Sequence, residues 1–143
     1  MSFVDWTDKL SIRVPEMDKQ HQQLVAMLNE YHDAMKAGKG RDTLGGIMNR
    51  LVSYTKTHLS NEERFLESID YAFINSHKTE HRKFTEQVMQ LKTQYDGGDN
   101  TVGIKLLTLL RDWLINHILK VDRMYADYYL KQVAANGKTK ATV

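Results

Sequence analysis

The chain lacks cysteine and has a single proline among its 143 residues. The absence of cysteine excludes disulfide bonds, thiolate nucleophiles and zinc–thiolate sites. With only Pro15 to interrupt them, long stretches of the chain are free to form helices. No apolar run approaches the ~20 residues that a membrane span requires. The N-terminus, MSFVDWTDKL, carries charges where a signal peptide would be apolar, so we expect a soluble cytoplasmic protein without membrane insertion.

The chain also lacks an excess of charge of one sign. Its 20 Lys and Arg against 18 Asp and Glu give a net charge of +2, and the charges are scattered. A nucleic-acid binder would carry a basic patch or stripe, so we expect no nucleic-acid partner. The length suits one domain with a real core. We expect this domain to cover residues 1–131, followed by a flexible tail over 132–143, where NGKTKATV has no apolar periodicity.

Four long segments do carry apolar residues three and four positions apart, which is the spacing of an amphipathic helix. They cover about 18–37, 42–67, 72–95 and 100–131. Asp18 is a good N-cap for the first, and the inward face of the third is expected to include Phe73. Because the connections are short, we predict an all-α, up-down-up-down antiparallel four-helix bundle. Residues 1–16 are expected to form an extended N-terminal arm.

Five of the six histidines and two carboxylates interrupt the apolar faces of these segments. Residues four apart on a helix lie one turn apart on a common face, so a His-x-x-x-Glu or His-x-x-x-His pair can hold one site. Imidazole and carboxylate together suit a first-row metal such as iron. Seven ligands are too many for one ion, so the set predicts two. The candidate ligands are His21, His58, Glu62, His77, His81, His117 and Asp122.

Antiparallel topology brings these seven residues to one end of the predicted bundle. They occur early in the first and third helices and late in the second and fourth, and neighbouring helices run in opposite directions. Burying such a cluster without metal would cost several kcal/mol per charge, which disfavours a metal-free interaction bundle. His32 lies ~16 Å along the helix axis from His21. We therefore expect His32 to be a surface or half-buried residue and not a ligand.

Asp122 does not fit the spacing of an ideal helix. It follows His117 by five residues, which is ~140° around an α-helix. The two side chains either reach the site from opposite flanks or are brought together by a π-type turn, a distortion that is concentrated at functional sites. We predict a local distortion of the fourth helix between them.

These motifs together resemble those of the bacteriohemerythrins, the single-domain bacterial members of the hemerythrin family. The resemblance covers about residues 3–130, and all seven ligand positions of the family are filled. It includes Asp18-Lys19-Gln20-His21, the HxxxE and HxxxH pairs, and Trp113-Leu114-x-x-His117-Ile118-x-x-x-Asp122.

The resemblance implies a non-heme di-iron centre in which three histidines bind one iron and two bind the other. The three would be His77, His81 and His117, and the two would be His21 and His58. Glu62 and Asp122 would bridge the irons, together with a solvent-derived oxo or hydroxo group.

The same resemblance implies dioxygen as the ligand. Two roughly octahedral irons offer about twelve positions, and the histidines and bridges together fill all but one. The vacant position would lie on the iron with two histidines, and dioxygen would bind there. An apolar oxygen pocket would be lined by Trp113, Leu114 and Ile118.

We therefore expect reversible oxygen binding for transport, storage or delivery, without enzymatic activity, and with an oxygen-consuming enzyme as a candidate recipient. A di-iron oxidase or peroxidase is the main alternative. Such enzymes on similar bundles use paired Glu-x-x-His motifs, and the sequence contains none. An oxygen or redox sensor is the other alternative. Sensors usually carry a fused signalling domain, which we do not find in these residues, but a separate partner remains open.

Overall fold

The computed structural model describes residues 4–135, and no β-strand occurs among them. Three helices are followed by a fourth that is assembled from three continuous segments. The helices are α1 (Pro15–Lys36), α2 (Gly40–Ser68), α3 (Ile74–Asp96), α4 (Val102–Asp112) and α5 (Arg123–Ala135), with a π-helical segment (Trp113–Asp122) between the last two. Residues 102–135 are called the fourth helix below.

The helices close into an antiparallel bundle. Helix α1 packs on α2, α2 on α3, α3 on α4, and α4 back on α1. The chain reverses in the short connections 37–39, 69–73 and 97–101. Gly98 has a φ of 87° in the third connection, a left-handed conformation that glycine adopts without steric cost. The predicted four-helix bundle is confirmed.

The start of α1 differs from the prediction. Pro15 occupies the first turn, where its missing N–H costs nothing, and Val14 precedes the helix without a side-chain cap. Asp18 lies inside the helix and is not its N-cap. Its carboxylate instead accepts the N–H of Ile12 at 2.9 Å and the hydroxyl of Ser11 at 2.5 Å. Asp18 therefore holds the arm against the bundle.

The N-terminal arm is extended apart from one 3-10 turn at Asp8–Leu10 and a left-handed residue, Arg13, whose φ is 62°. The side chain of Asn29 both donates to the carbonyl of Val4 at 2.7 Å and accepts its N–H at 2.8 Å. Near the end of the arm, Arg123 donates to the carbonyls of Lys9 and Ser11. These bonds fix the arm to α1 and to α5. The buried side chains of the arm are Leu10, Ile12 and Val14.

Two apolar clusters form the core. The small cluster lies at the end of the bundle where the arm meets α1. It consists of Ile12, Val14, Met17, Phe65, Leu66, Tyr71, Tyr125 and Ala126. The large cluster fills the rest. It consists of Leu10, Leu24, Val25, Met27, Leu28, Tyr31, Leu44, Ile47, Met48, Leu51, Leu59, Phe84, Val88, Leu91, Val102, Leu106, Leu110, Leu114 and Ile118.

The structure differs from the sequence predictions at Phe73 and just after residue 131. Phe73 is not on an inward face: α3 begins at Ile74, and the Phe73 side chain is 59% exposed. Helix α5 continues to Ala135, so the first four residues of the expected tail are helical. Phe3 and residues 136–143 lie outside the described residues, and the domain boundary at 131 stays a prediction. None of the helices in residues 4–135 is long and apolar enough to cross a membrane.

Candidate metal centre

A layer of polar side chains separates the two clusters. Every helix of the bundle contributes a polar side chain to this layer at a position where the apolar repeat would place a core residue. The layer has seven residues, and each is at most 3% exposed. The layer consists of His21 from α1, His58 and Glu62 from α2, His77 and His81 from α3, and His117 and Asp122 from the π-helical segment. The structure thus brings together all seven residues that the sequence predicted.

Three histidines converge on one oxygen of each carboxylate. His77 and His81 each place Nε2 2.8 Å from Oε1 of Glu62. His117 places Nε2 2.8 Å from Oδ1 of Asp122, and His77 lies 3.0 Å from the same oxygen. One donor atom from each of these five residues lies within 4.8 Å of the others, so this group could hold a metal ion.

The other two histidines face the remaining carboxylate oxygens. His21 places Nε2 3.2 Å from Oδ2 of Asp122 and 3.7 Å from Oε2 of Glu62. His58 places Nε2 3.8 Å from the same Glu62 oxygen. His21, His58 and Glu62 form a second group that could hold a metal ion. Each carboxylate therefore presents one oxygen to each group, which is how a bridging carboxylate is arranged.

The π-helical segment explains the spacing of Asp122. A π-helix is hydrogen-bonded from residue i to i+5, so residues five apart lie about one turn apart. His117 and Asp122 consequently meet at 2.8 Å. The predicted distortion is confirmed, and it is longer than expected: π-helical bonding covers Trp113–Asp122 and is not confined to a single turn.

The two carboxylates hold protons on three of the histidines. Burial alone would lower the pKa of His21, but Asp122 and Glu62 outweigh it and raise that pKa to about 9. The same balance raises the pKa of His77 to about 9 and that of His117 to about 10.

His58 behaves differently from these three histidines. Burial is the dominant effect on its ring, and the charge of Glu62 compensates only in part. The pKa of His58 falls to about 4 as a result. In the metal-free chain His58 is therefore neutral at pH 7, while the three histidines paired with carboxylates are cationic.

Both carboxylates stay ionised despite complete burial. Burial would raise the pKa of Glu62, but the surrounding imidazoles hold it well below its ordinary value. The pKa of Asp122 is lowered likewise, because His117 and His21 outweigh both burial and the charge of Glu62. Tyr125 donates its hydroxyl to Oε2 of Glu62 at 2.8 Å. Burial raises the pKa of Tyr125 well above 10, so it acts as a hydrogen-bond donor.

Several polar atoms of the layer lack hydrogen bonds within residues 4–135. Neither oxygen of Asp122 has one, nor has Nε2 of His21 or of His117, although all are buried. Their close approaches to one another have poor hydrogen-bonding geometry. Buried polar atoms are otherwise almost always paired. Buried imidazole and carboxylate groups without hydrogen bonds, gathered at one place, fit the donor set of a first-row metal centre once the imidazoles lose their protons.

The outward nitrogens of three histidines contact residues that the sequence did not single out. Nδ1 of His58 lies 2.5 Å from Oε1 of Gln20, and Nδ1 of His81 lies 2.8 Å from Oε2 of Glu63. Nδ1 of His117 lies 3.6 Å from Oε1 of Glu80. The partners Gln20, Glu63 and Glu80 share no repeating spacing. Each of the three directly adjoins a candidate ligand in the sequence, and only this adjacency could have indicated them.

The three residues expected to line an oxygen pocket lie on the π-helical segment. Leu114 and Ile118 are buried in the large cluster, beside the polar layer. Trp113 is half-buried and stacks on the ring of His117, with centroids 3.8 Å apart and planes inclined by 8°. Phe84 covers its other face at 4.0 Å. His32 is half-buried on α1 and belongs to neither group of candidate ligands.

The fold and the site together define a class: a four-helix bundle with a buried histidine–carboxylate site for metal. Residues 13–129 match the family model for the hemerythrin HHE cation-binding domain. The chain therefore belongs to the hemerythrin family, as its motifs predicted.

Known relatives and solved structures agree with this assignment. The chain is 35% identical over 127 residues to the bacteriohemerythrin of Pseudomonas aeruginosa, covering 89% of this chain and 82% of that one. It is 32% identical to the bacteriohemerythrin of Methylococcus capsulatus, covering 87% and 95%. It also superimposes on the crystal structure of a leucine-to-alanine mutant of hemerythrin with a TM-score of 0.80 and 30% identity, covering 89% and 97%.

Proposed function

We propose that this protein binds dioxygen reversibly at a non-heme di-iron centre. Iron binding follows from the family, and the number of irons, their ligands and the reversibility are the proposal. The observation that carries it is the division of the carboxylate oxygens. Oε1 of Glu62 and Oδ1 of Asp122 face three histidines, and Oε2 and Oδ2 face the other two. Two metals bridged by two carboxylates account for every one of these contacts.

The proposed ligands divide as the resemblance implied. His77, His81 and His117 would hold one iron, and His21 and His58 the other. The second iron, with one histidine fewer, would keep the position at which dioxygen binds. A ferrous pair held by these residues would supply the electrons for reversible binding of dioxygen.

The chain's own task is to hold the ligands still and to keep water out. The polar layer lies between two apolar clusters, and its ligand residues are nearly inaccessible to solvent. Leu114 and Ile118 would form the dry wall of the oxygen pocket, and Trp113 would support His117 from the side. A dry cavity protects bound oxygen from protonation and loss by hydrolysis. No side chain needs to act as a nucleophile.

Reversible binding is favoured over oxidation by the donor set. The candidate site offers five histidines and two carboxylates. Di-iron enzymes on comparable bundles use four glutamates, because added negative ligands stabilise iron of higher charge. A sensor that responds to oxygen through a separate protein would use the same site. If the protein delivers oxygen, an oxygen-consuming enzyme would be the recipient.

Anaerobic reconstitution followed by oxygen mixing tests the proposal. We expect two irons per chain, and a visible spectrum that appears with oxygen and reverses under argon over repeated cycles. The His117→Ala variant should hold less iron, whereas His32→Ala, altered outside the cluster, should match the parent. Rapid irreversible oxidation, or turnover of an added reductant with each oxygen consumed, would instead establish an oxidase or peroxidase.

A further inference from the structure

The outward nitrogens of the candidate ligands have carboxylate partners on only one side of the centre. In the three-histidine group, Glu63 accepts from Nδ1 of His81 at 2.8 Å. Glu80 lies 3.6 Å from Nδ1 of His117, which is too long for a hydrogen bond but close enough for charge to act. Two acidic side chains thus lie beside the outward nitrogens of this group.

In the two-histidine group, neither outward nitrogen has a carboxylate partner among the described residues. His58 directs Nδ1 at Oε1 of Gln20, a neutral amide oxygen 2.5 Å away. Tyr54 fixes this arrangement, because its ring stacks on His58 and its hydroxyl donates to the carbonyl of Gln20. Nδ1 of His21 is buried without a hydrogen bond within residues 4–135. The outer partners therefore add two negative charges on one side and none on the other.

This asymmetry has a chemical consequence for the metals. When a metal-binding histidine donates its other N–H to a carboxylate, the contact fixes its tautomer and raises the basicity of the ligating nitrogen. An amide oxygen also orients the ring, but it brings no charge. Solvent reduces the effect, because the side chains of Glu63 and Glu80 are 28% and 45% exposed. Glu63 is both nearer and less exposed, so its effect is the larger.

The cationic side chains near Glu63 do not disrupt its hydrogen bond to His81. Lys56, Lys78 and Arg82 line the same surface pocket as Glu63 and His81. Lys78 pairs with Glu67 at 3.3 Å, and Glu63 keeps its hydrogen bond to His81. The pocket cations lower the charge felt at the ring but do not replace its partner.

We propose that Glu63, and more weakly Glu80, are positioning residues that make the three-histidine position the tighter of two metal positions and the better stabiliser of ferric iron. This inference rests on the proposed di-iron site and adds the order in which the two irons are released. The two-histidine iron, which would bind dioxygen, is the one released first. Neither glutamate touches metal or oxygen in this role.

Timed release of iron to a ferrous chelator under argon tests the order. From the diferrous parent we expect two phases, one iron in each. In Glu63→Gln the slower phase should accelerate about 10- to 100-fold, the usual loss when the outer partner of a metal-bound histidine is altered. The faster phase should not change. Glu86→Gln removes the same charge from the exposed surface of α3 and should leave both phases as in the parent.

The reciprocal substitution tests charge separately from orientation. Gln20→Glu should slow the faster phase, and it is made in the Glu16→Gln background because Glu16 accepts from Gln20 at 3.2 Å. The rate of the slower phase should rise from the parent to Glu63→Gln and rise further in Glu63→Leu. The midpoint potential of the centre should shift to a more positive value in Glu63→Gln and not in Glu86→Gln.

The outcomes separate the two proposals. Equal acceleration of both phases in Glu63→Gln would indicate general destabilisation and would overturn the positioning role. An unchanged slower phase in Glu63→Gln, with acceleration only in Glu63→Leu, would show that Glu63 acts only by orienting the ring of His81. This result would overturn the role of charge. Either result in a parent with two irons and reversible oxygen binding leaves the proposed function intact. A parent that holds fewer than two irons overturns both.

Discussion

Tyr125 lies just outside the seven candidate ligands and donates directly to one of the carboxylates. Its hydroxyl is 2.8 Å from Oε2 of Glu62, in a fully buried environment. Hydrogen bonds to charged groups contribute about 1.5–3 kcal/mol. We predict that Tyr125→Phe lowers the free energy of unfolding of the metal-free protein by about this amount, measured by urea denaturation at pH 7.

Tyr129 provides a matched control for this substitution. Its ring packs on Phe65, as does that of Tyr125, but its buried hydroxyl has no hydrogen bond within residues 4–135. Tyr129→Phe should therefore not lower the free energy of unfolding, because the hydroxyl that it removes is buried without a hydrogen bond. Equal losses in the two variants would show that ring packing, and not the bond to Glu62, sets the energy.

Metal binding should displace protons from the histidines. The pKa values of His21, His77 and His117 are raised to about 9, 9 and 10, so at pH 7 these rings hold protons that a metal must replace. His58, with its pKa lowered to about 4, has none to lose. Raising the pH removes the competing protons, so affinity for ferrous iron should rise steeply from pH 6 to 9.

Anaerobic calorimetry in buffers of different ionisation enthalpy measures this release. We predict that loading the site at pH 7 frees protons from three histidines and that fewer are freed at pH 10. An affinity that does not depend on pH, or that falls between pH 6 and 9, would contradict the assignment of these rings as cationic in the metal-free chain.

The residues that could be predicted from sequence are those whose relation is local. The pairs His58 with Glu62 and His77 with His81 are defined by one turn of one helix, so spacing alone identified them. Glu63 was not identified, because its contact with His81 depends on how α2 packs against α3. Gln20 reaches His58 across α1 and α2 in the same way. No single-helix periodicity contains either contact.

The fourth helix shows how an element adapts to the site. A regular α-helix cannot bring residues five apart to one face, and the π-helical segment Trp113–Asp122 does so. The sequence indicated the place of this distortion through the spacing of His117 and Asp122, but not its length. The number of turns that adopt i→i+5 bonds depends on packing against α3 and α1, which spacing does not reveal.

Deleting one exposed residue within the segment tests this interpretation. Without Lys120, the histidine and the aspartate become four residues apart, and a regular α-helix places them on one face. We predict that this variant retains the full iron content of the parent. Deleting Ile115, which is 44% exposed and precedes His117, keeps the spacing at five and misaligns Leu114, so iron should be lost. The opposite ranking of iron content per chain would refute the explanation.

At the scale of the whole molecule, the polar layer joins two apolar clusters of unequal size. The small cluster has eight buried side chains and the large one nineteen. Without metal, the layer retains buried polar atoms that lack partners within residues 4–135. We therefore expect the small cluster of the metal-free protein to be held to the rest of the bundle less firmly than the large cluster is held together.

Removal of metal should consequently loosen one end of the protein. We predict faster amide hydrogen exchange at the end of α2 and the start of α3, and in the arm around Ile12. Exchange around Leu51 and Val88, in the middle of the large cluster, should change little. Uniform acceleration along all four helices on metal removal would show that the layer supports the whole bundle equally.

The stack of Trp113 on His117 also has an optical consequence. The chain contains two tryptophans, and the other, Trp6, packs in the arm against the large cluster. Because Trp113 lies 3.8 Å from the ring of a proposed iron ligand, its fluorescence should be quenched when that iron is present. A Trp6→Phe variant would thus carry a single tryptophan, whose fluorescence would report occupancy of the metal centre.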